Sequence, residues 1–530
     1  MRKILQPFWF ALLLAAGIGI GMLLAPYRSA GGNKIAQIIQ LIHSNYVDSV
    51  NDADLEKKAI TDLLHGLDPH SNYFTPDEAR HVNEPLEGSF EGIGIEFLLW
   101  NDTIFVANVT DDGPSAKAGM KVGDRIVTVD GKVLNGMHLK NDDVFKLLKG
   151  PGGSKVQLTV VRTHENKTLD FTIERGSIPI KSIDAWYKAD AETGYIRIIR
   201  FAATTYDEYL DAFHALKSAG MKNLIIDLRD NGGGYLSTAR KIADEFLDNH
   251  KKMLTTRGQH SGNETFQATD KGEFEHGKLI VLINENSASA SEILSGALQD
   301  NDRALIIGRR SFGKGLVQNS FGLSDGASIR LTISRYYTPS GRCIQKPYMG
   351  NYDEYEEESE KRYDKGELFN ADSNHLESQE QYSTLSGRKV YGGGGIMPDI
   401  FVPLDTSRNS PLLNALLAKS ILRQVAYYYV AENQGLKQQY SGMEAFGASF
   451  HVPETLLNQV KNEALAMQVN WNAAAFEKSK TGIEEYLKAF MARQLYGASG
   501  FYFILNQTDP AVLRALKAMA SENDFSNISR

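Results

Sequence analysis

The sequence predicts an α/β core joined to a smaller β-rich domain, with helical regions towards both ends of the chain. Residues 176–345 alternate short apolar runs, typical of buried strands, with helical patterns, and this alternation indicates an α/β core. Residues 87–175 instead contain several β-rich runs separated by Gly and Asp turns. Helical patterns dominate residues 31–86 and 409–530, so both regions are predicted to be helical.

Length and composition narrow the classes of protein to which the chain can belong. Its 530 residues suggest about three or four domains. An apolar fraction of 42% with 23% charged residues is normal for a globular protein, which excludes global disorder. The net charge of −8 excludes an overall basic surface, so no nucleic-acid partner is predicted. Cys343 is the only cysteine, which excludes an internal disulfide bond and a cysteine-based zinc site.

Residues 1–30 are predicted to be a targeting segment. Arg2 and Lys3 precede an uncharged apolar run, Phe8–Ala25, which as a helix would be roughly 27 Å long, near the thickness of a bilayer's hydrocarbon core. This length favours a transmembrane anchor, and a cleaved signal peptide is the alternative. Because the basic end stays cytoplasmic, both interpretations place the rest of the chain outside the cytoplasm, on the periplasmic side of an inner membrane.

The region 31–86 is predicted to be a small helical domain. One helix fits Ala53–His65, and Gly66 is placed to end it. The segment Leu67–Ser71 then reads as a loop, because its Asp-Pro pair favours a turn.

A pattern typical of a PDZ domain lies within residues 87–175. Ser115–Gly119 and Val122–Gly131 resemble the short helix, turn and strand of that family, and Phe90–Phe97 falls where it has its carboxylate-binding loop and its ligand-pairing strand. Glycines there free backbone N–H groups to face an anion, and an extended peptide can pair with the strand's edge. A plain β-barrel with glycines only at its turns is the alternative. The predicted peptide-binding residues are Gly92, Ile93, Gly94 and Ile95.

The elements of the α/β core are predicted in regular order. The strands are Tyr195–Phe201, Leu224–Leu228, Leu279–Ile283 and Ala304–Ile307, and the helices are Thr205–Gly220, Leu236–Leu247 and Ser289–Leu298. Residues 346–388 interrupt the core as an acidic insertion that we expect to be solvated and mobile, because it is rich in Asp, Glu, Tyr and Ser. The chain returns to the core at residues 389–408.

Three serines, Ser287, Ser289 and Ser291, lie where a buried predicted strand turns into a helix. The first N–H groups of a helix have no intrahelical acceptor, so they are available to stabilise an oxyanion that forms beside them. A glycine-rich turn, Asp230–Gly234, follows another buried strand and can supply a further N–H donor to the same place. This pattern predicts a nucleophilic serine.

A serine nucleophile needs a base, and histidine, the usual one, is absent between Val281 and Gln345. Lys314 is the nearby candidate. A lysine amine in water is protonated at neutral pH, but burial favours its neutral form, and the small and apolar flanking residues fit a buried amine. Gln318, four residues further on, can accept a hydrogen bond from the amine and orient it without adding charge.

These segments together resemble the C-terminal processing peptidases, or tail-specific proteases, of the S41 serine peptidases. The resemblance covers most of residues 35–405 in the family's order. Its motifs are Leu67–Ser71, the PDZ-like segment, Asp227–Gly234, Ser287–Ile293 and Phe312–Gly315.

The resemblance implies a role for each of six residues. They are Ser289 as nucleophile, Lys314 as general base, Gln318 as the residue that orients the lysine, and the N–H groups of Ala290 and of Gly232 or Gly233 as the oxyanion hole. Ser287 and Ser291 remain alternatives for the nucleophile. Three further polar features are predicted to be structural: Asp300 caps or pairs locally, Arg229 and Asp230 fix their loop as an ion pair, and Cys343 is a partly buried small residue.

The resemblance also implies a fold, an activity and partners. The core is expected to be a crotonase/ClpP-like peptidase core, carrying the PDZ domain and helical N- and C-terminal regions. The expected activity is that of a serine endopeptidase, with polypeptides that end in free, apolar C-termini as substrates and without a metal or other cofactor. An adaptor protein, the membrane through the N-terminal segment, and a homo-oligomer through the C-terminal region are the further partners.

Two other functions compete with this interpretation. Gly308–Lys314 matches most of a P-loop for nucleotide triphosphates, but Gly315 lacks the hydroxyl that binds magnesium, and Leu316 begins a predicted strand where a P-loop continues into a helix. The second alternative is a PDZ scaffold on an inactive peptidase core. Loss of the serine, lysine or glutamine would favour the scaffold, and all three are present.

Overall fold

The computed structural model of the protein describes residues 34–100, 103–162, 167–348, 352–371, 380–407, 410–526 and 528. The described residues divide into two compact units, 34–74 with 320–331, and 75–319 with 332–528. The predicted membrane anchor or signal, residues 1–30, lies outside the described residues. Within the described ranges, no helix is both long enough and apolar enough to cross a membrane.

The smaller unit begins with helix α1 (Lys34–Asn45), helix α2 (Asp52–His65) and strand β1 (Asn72–Phe74). The predicted helix 53–65 is therefore confirmed, and it begins where the Asn51 side chain accepts the N–H of Ala53. In the predicted loop 67–71, the Asp68 carboxylate accepts the N–H groups of the residues two and three positions later. β1 pairs antiparallel with the first residues of β18 (Ser328–Tyr337).

In the larger unit, the β-rich domain is a six-stranded antiparallel sheet. Its strands lie in the order β3-β4-β5-β7-β8, with β6 beside β5, so β3 is an edge strand. The β-rich runs of this region form strands, as predicted. The elements are α3 Pro76–Glu87, β2 Ser89–Gly92, β3 Ile95–Trp100, β4 Thr103–Val109, α4 Pro114–Ala118, β5 Asp124–Val129, β6 Lys132–Val133, α5 Asn141–Leu148, β7 Lys155–Arg162, β8 Lys167–Glu174 and β9 Gly176–Pro179, which pairs with β2.

The α/β core is built on a second six-stranded sheet, in the order β10-β11-β12-β15-β16-β21. Neighbours from β11 to β21 are parallel, and β10 is antiparallel to β11. The sheet strands are β10 Ile183–Lys188, β11 Thr193–Ile198, β12 Asn223–Asp227, β15 Leu279–Ile283, β16 Leu305–Gly308 and β21 Ile400–Phe401. The other elements are α6 Thr205–Ser218, α7 Leu236–Asp244, β13 Lys252–Gly258, β14 Gly262–Gln267, α8 Ala290–Asp300 and β17 Leu316–Gly322.

Both faces of this sheet are buried, as expected for parallel strands. Ile226 and Val281 point into the core formed with α6, α7 and α8. Their neighbours Ile225 and Ile280 point to the opposite face, because successive side chains of a strand alternate. That second face is covered by helix α17 (Pro510–Met519) of the C-terminal region.

The expectation that the acidic insertion is solvated is wrong for part of residues 352–371, where several side chains are buried. This segment forms α9 (Tyr352–Glu356) and α10 (Glu358–Asp364), and Arg362, Glu367 and Tyr355 are each less than 10% exposed. Glu367 is buried because cations meet it: its carboxylate accepts hydrogen bonds from Arg310 at 2.7 Å and from Arg362 at 2.9 Å. Other acidic side chains of the segment, among them Glu357 and Glu360, are exposed. After residue 380, the chain forms the hairpin β19 (Gln381–Ser383) and β20 (Lys389–Tyr391).

The C-terminal region is helical, as predicted. Its long helix α16 is broken at Gly497, whose φ of +73° is accessible to glycine without strain. The helices are α11 Pro411–Ala418, α12 Ile421–Glu432, α13 Leu436–Gln439, α14 Met443–Ser449, α15 Glu454–Ala466, α16 Ala473–Asn506, α17 Pro510–Met519 and α18 Glu522–Phe525.

Candidate active site

The chain turns sharply between β15 and α8, and Ser289 lies at that turn, directly before the first helical residue. The φ of Ser289 is +55°, in the left-handed region that residues other than glycine seldom occupy. Its side chain is half-buried. Backbone strain of this kind is retained where the surrounding contacts enforce it, and it is concentrated at functional sites.

The two alternative serines have different surroundings from Ser289. Ser287 and Ser291 are completely buried. The Ser287 hydroxyl donates to the carbonyl of Leu228 at 2.8 Å, and the Ser291 hydroxyl donates to the carbonyl of Asn231 at 2.8 Å. Both hydroxyls thus hold the turn to the loop that follows β12, and neither is exposed to a substrate.

The glycine-rich loop after β12 packs directly against the Ser289 turn. The backbone carbonyl of Asn231 accepts the N–H of Ala288 at 3.0 Å. Gly233 has a φ of +104°, and a Cβ placed on it would lie 2.8 Å from the Cβ of Ser289. A side chain at position 233 would collide with the serine, so the close approach of the two loops requires glycine.

Two backbone donors beside Ser289 lack an acceptor among the described residues. One is the N–H of Ala290, the first residue of α8, and the other is the N–H of Gly232. The N–H of Gly233 instead donates to the Asn231 side chain at 2.9 Å. Unpaired N–H groups at a helix start next to a hydroxyl are suited to binding the oxyanion formed when that hydroxyl attacks a carbonyl.

A buried carboxylate joins the serine turn, residues 284–289, to the lysine loop, residues 309–315. Glu292 is completely buried in the first turn of α8. Its Oε2 accepts the N–H of Ser289 at 2.8 Å and the N–H of Lys314 at 2.8 Å, so the two backbones meet at one oxygen. Its Oε1 accepts the Ser311 hydroxyl at 2.5 Å and the N–H of Gly313 at 2.7 Å. Burial raises the pKa of Glu292, and these four hydrogen bonds oppose that increase.

Lys314 lies two residues before β17 and Gln318 lies within that strand, and both are half-buried. The Nε2 of Gln318 is buried and contacts no hydrogen-bond partner among the described residues. A buried polar atom without a partner is uncommon and is often tied to function. On the other side of the serine, the buried Tyr336 hydroxyl donates to the carbonyl of Ser289 at 3.4 Å.

The prediction that Arg229 and Asp230 form a loop-fixing ion pair is wrong in its partners. Arg229 pairs with the buried Asp227 at 2.6 Å and with Asp509 of the C-terminal region at 2.8 Å. Burial of Asp227 favours its neutral form, but Arg229 and Arg197 outweigh it and hold the pKa of that carboxyl well below its usual range. Asp230 accepts hydrogen bonds from the amides of two asparagines of the serine turn, Asn284 and Asn286.

The predicted peptide-binding residues surround a small pocket of about 30 Å³ between β3 and α5. The pocket is lined by Gly92, Ile93, Gly94 and Ile95, together with Phe90, Phe97, Phe145, Leu148 and Lys149. The N–H groups of Ile93 and Gly94 have no acceptor among the described residues. Lys149 places its ammonium 4.5 Å above the Phe90 ring and 2.5 Å from the carboxylate of Glu84. The pocket therefore combines apolar walls, free N–H donors and a nearby cation.

The remaining residues and motifs singled out in the sequence show no catalytic arrangement among the described residues. Asp300 is completely buried and pairs with Arg342 at 2.7 Å, a partner far along the chain and not a local one. Cys343 is partly buried, and burial raises the pKa of its thiol. The chain after β16 forms a loop and then strand β17, which contradicts a P-loop. In the described part of the chain, no three His, Cys, Asp or Glu side chains lie together as metal ligands.

Glu292 and Tyr336 contact the serine turn but were not among the predicted site residues. A signal for Glu292 was present, because Ser289 and Glu292 have the S-x-x-E spacing of a capping box, in which the glutamate accepts the N–H of the capping residue. Tyr336 had no local signal, because it is 47 residues away in sequence and is brought to the serine by β18.

Three family profiles match the chain. Peptidase family S41 matches residues 192–350, and the PDZ domain matches residues 105–162. A family of unknown function matches residues 412–497, within the C-terminal helices.

Among curated relatives, the chain is similar to a carboxy-terminal-processing protease of Bartonella bacilliformis, with 38% identity over 59% of this chain and 72% of that protein. It is also similar to a probable CtpA-like serine protease of Staphylococcus aureus, with 35% identity over 59% of this chain and 62% of that protein, which is less than two thirds of the relative's length.

Two solved structures resemble parts of the chain. The photosystem II D1 C-terminal processing protease is 28% identical, over 58% of this chain and 89% of that one, with a TM-score of 0.33. The PDZ domain of a carboxy-terminal protease from Vibrio cholerae in complex with a peptide is 35% identical, over 17% of this chain and 99% of that one, with a TM-score of 0.16.

These matches confirm three predictions: the family resemblance, the fold class and the enzyme class. The site geometry, the two domain matches and the 38% identity to a carboxy-terminal-processing protease lead to one conclusion. The chain belongs to peptidase family S41, as a carboxy-terminal-processing serine protease with a PDZ domain.

Proposed function

We propose that the protein is an extracytoplasmic endopeptidase that captures protein C-termini in its PDZ domain and cuts peptide bonds with a Ser289–Lys314 dyad. The observation that carries the proposal is the shared oxygen of Glu292, which accepts the backbone N–H groups of both residues at 2.8 Å. Two loops that are 25 positions apart in the sequence are thereby held as neighbours. No comparable contact supports Ser287 or Ser291 as the nucleophile.

In the first half of the reaction, the neutral amine of Lys314 takes the proton of the Ser289 hydroxyl. The serine Oγ attacks the carbonyl carbon of the scissile bond, and the carbonyl oxygen becomes an oxyanion. The N–H groups of Ala290 and Gly232 stabilise this charge. The ammonium of Lys314 then donates its proton to the leaving nitrogen, the peptide bond breaks, and an acyl-enzyme remains.

In the second half, water replaces the released amine. Lys314 removes a proton from that water, whose oxygen attacks the acyl carbon and regenerates the oxyanion in the same site. Collapse of this intermediate breaks the ester and returns the proton to Ser289, which releases the new carboxylate. Gly232 suits the second donor role better than Gly233, because the N–H of Gly233 is already bonded to Asn231.

Gln318 is proposed to orient the lysine amine. Its side-chain oxygen can accept a hydrogen bond from Lys314 and carries no negative charge. A carboxylate in its place would favour the ammonium form of the lysine and so remove the base. Its buried, unpartnered Nε2 supports a functional reason for the residue, since an orphaned buried donor costs about 1–3 kcal/mol.

The PDZ pocket is proposed to read the end of the substrate. The free N–H groups of Ile93 and Gly94 suit a terminal carboxylate, and Lys149, which is paired with Glu84, lies at the pocket wall. The apolar lining favours an apolar last residue, and β3 presents an unpaired edge to which an extended chain can add. The adaptor protein and the homo-oligomer remain predictions from the resemblance.

The first prediction concerns the dyad. Ser289→Ala and Lys314→Ala should each lower the rate of cleavage of an unfolded polypeptide with an apolar C-terminus by at least about 10³-fold, since each removes a group that takes part in bond breaking. Ser287→Ala is the matched control and should keep activity within about tenfold. Cleavage by Ser289→Ala at the parental rate would reject Ser289 as the nucleophile.

The second prediction concerns Glu292. Glu292→Gln keeps the size of the side chain but turns an amide N–H₂ toward two of the four donors. We expect kcat to fall by roughly 10–100-fold with little change in KM, because misplaced groups weaken the chemical step. Glu285→Gln, on the same turn, is the control and should change kcat less than about threefold. An unchanged kcat in Glu292→Gln would show that the carboxylate does not position the site.

The third prediction concerns the PDZ pocket. Amidation of a peptide's C-terminus should weaken its binding to the Ser289→Ala protein by at least about tenfold, because a charge-assisted hydrogen bond contributes roughly 1.5–3 kcal/mol. Titration calorimetry with matched free-acid and amidated peptides measures the ratio. Equal affinities would remove the carboxylate from recognition.

The fourth prediction concerns location. The positively charged start and the apolar run of residues 1–30 support export of the remainder. In bacterial cells that express the full chain, protease added outside the inner membrane should digest residues 34–528 while a cytoplasmic marker survives. N-terminal sequencing of the product distinguishes an anchor from a cleaved signal. Complete protection of the chain would place it in the cytoplasm and reject this part of the proposal.

A further inference from the structure

Part of the outer face of the PDZ sheet, on β3 and β4, is covered by the C-terminal helical domain, which we define as residues 410–506. On β4, three consecutive side chains, Ile104, Phe105 and Val106, are buried, although successive side chains point to opposite faces. Ile104 and Val106 belong to the core of the PDZ domain itself. Phe105 lies on the opposite face with Leu98, and both pack against Tyr427 of α12.

A buried hydrogen bond fixes the register of this contact. The hydroxyl of Tyr427 donates to the backbone carbonyl of Val106 at 3.0 Å, and the side chain is 2% exposed. Beside it, the rings of Phe105 and Tyr428 meet edge to face at 5.8 Å. A directional hydrogen bond within an apolar cluster specifies one position of α12 on β4. Apolar packing alone would not specify that position.

A second helix contacts the same sheet at its edge strand. Arg493 of α16 lies 3.7 Å from the carboxylate of Glu96 on β3. β3 is the strand whose free edge borders the proposed peptide pocket. The helical domain therefore contacts both strands of the β3–β4 hairpin, and its contact residues do not line the pocket.

The other end of the helical domain is fixed to the peptidase core. The Ser499 hydroxyl bonds both backbone groups of Trp186 on edge strand β10 at 3.1 Å. Asn506 donates to the buried Tyr187 hydroxyl at 2.7 Å. Directly after the domain, Asp509 pairs with Arg229, which precedes the glycine-rich loop beside Ser289. One continuous run of helices thus contacts the PDZ hairpin and the strand and loop next to the nucleophile.

We propose that the C-terminal helical domain is a specificity element that fixes the distance between the PDZ pocket and Ser289. A chain whose C-terminus is held in the pocket then presents to Ser289 a peptide bond at a set number of residues from its end. This inference rests on the proposed function, because it requires both C-terminal capture and cleavage at Ser289. It assigns a role to the segment that matches a family of unknown function.

The test loosens the contact without touching the pocket or the catalytic residues. Tyr427→Ala removes the ring and the hydroxyl, while Tyr427→Phe is the matched control that keeps the ring. Arg493→Glu is a second variant at a half-exposed position, where it places a carboxylate beside Glu96 and leaves the apolar cores intact. Each full-length protein is incubated with unfolded polypeptides that share one C-terminal sequence, and mass spectrometry maps the cuts.

The parent protein should cut each substrate in a narrow window at a constant distance from the substrate's C-terminus. The distance should stay the same when a linker is inserted into the substrate upstream of the cuts. In Tyr427→Ala and Arg493→Glu, the width of that window should at least double, and in Tyr427→Phe it should stay near the parental width. Cleavage of a short peptide with an amidated end, and binding of a free-acid peptide, should each change less than about twofold.

Parental windows in Arg493→Glu and in a folded Tyr427→Ala would overturn the inference and leave the peptidase proposal intact. If Tyr427→Ala does not fold, Arg493→Glu alone decides between the two results. A parent that does not cut, or that cuts without regard to the C-terminus, would instead reject the proposed function and this inference with it.

Discussion

The carboxylate of Glu292 is the interaction on which the rest of the site depends. Burying a charged carboxylate is costly, and here four donors on two separate segments compensate for that cost. Because one oxygen accepts the N–H groups of both Ser289 and Lys314, neither loop can move without breaking a buried charge-assisted bond. The strained backbone of Ser289 is maintained by the same contact. The backbones of the two residues proposed as the dyad are thus held together by hydrogen bonds to one carboxylate.

The parallel sheet explains why three short segments meet at this carboxylate and serine. The glycine-rich loop, the serine turn and the lysine loop follow β12, β15 and β16, which are neighbours in the sheet and end at the same edge. Ligand sites in open α/β sheets form at this carboxyl edge. The acidic segment 352–371 covers the lysine loop through Arg310 and Arg362, and helix α17 covers the far face of the sheet. The first addition covers a loop at this edge, and the second buries a face of the strands that carry the loops.

Most of the core, and the turn on which the proposed nucleophile lies, could be predicted from the sequence, because local signals carry them. Buried strands such as Leu279–Ile283 are continuous apolar runs, and Ser289 follows one at a helix start. What the sequence does not encode locally could not be predicted. One partner of Arg229 is Asp509, 280 positions away, and the buried Glu367 is bonded to Arg310, 57 positions earlier. The apolar residues of β4 predict a strand, but they do not predict that helix α12 covers its outer face.

The most direct test of the central claim is to label the protein with a peptidyl phosphonate that reacts only with an activated serine, and to locate the adduct by tandem mass spectrometry. The account predicts one adduct, on Ser289, in the parent protein, and no adduct at the same exposure time in Lys314→Ala or Ser289→Ala. An adduct on Ser287 or Ser291 in the parent, or labelling of Ser289 at the parental rate in Lys314→Ala, would contradict it.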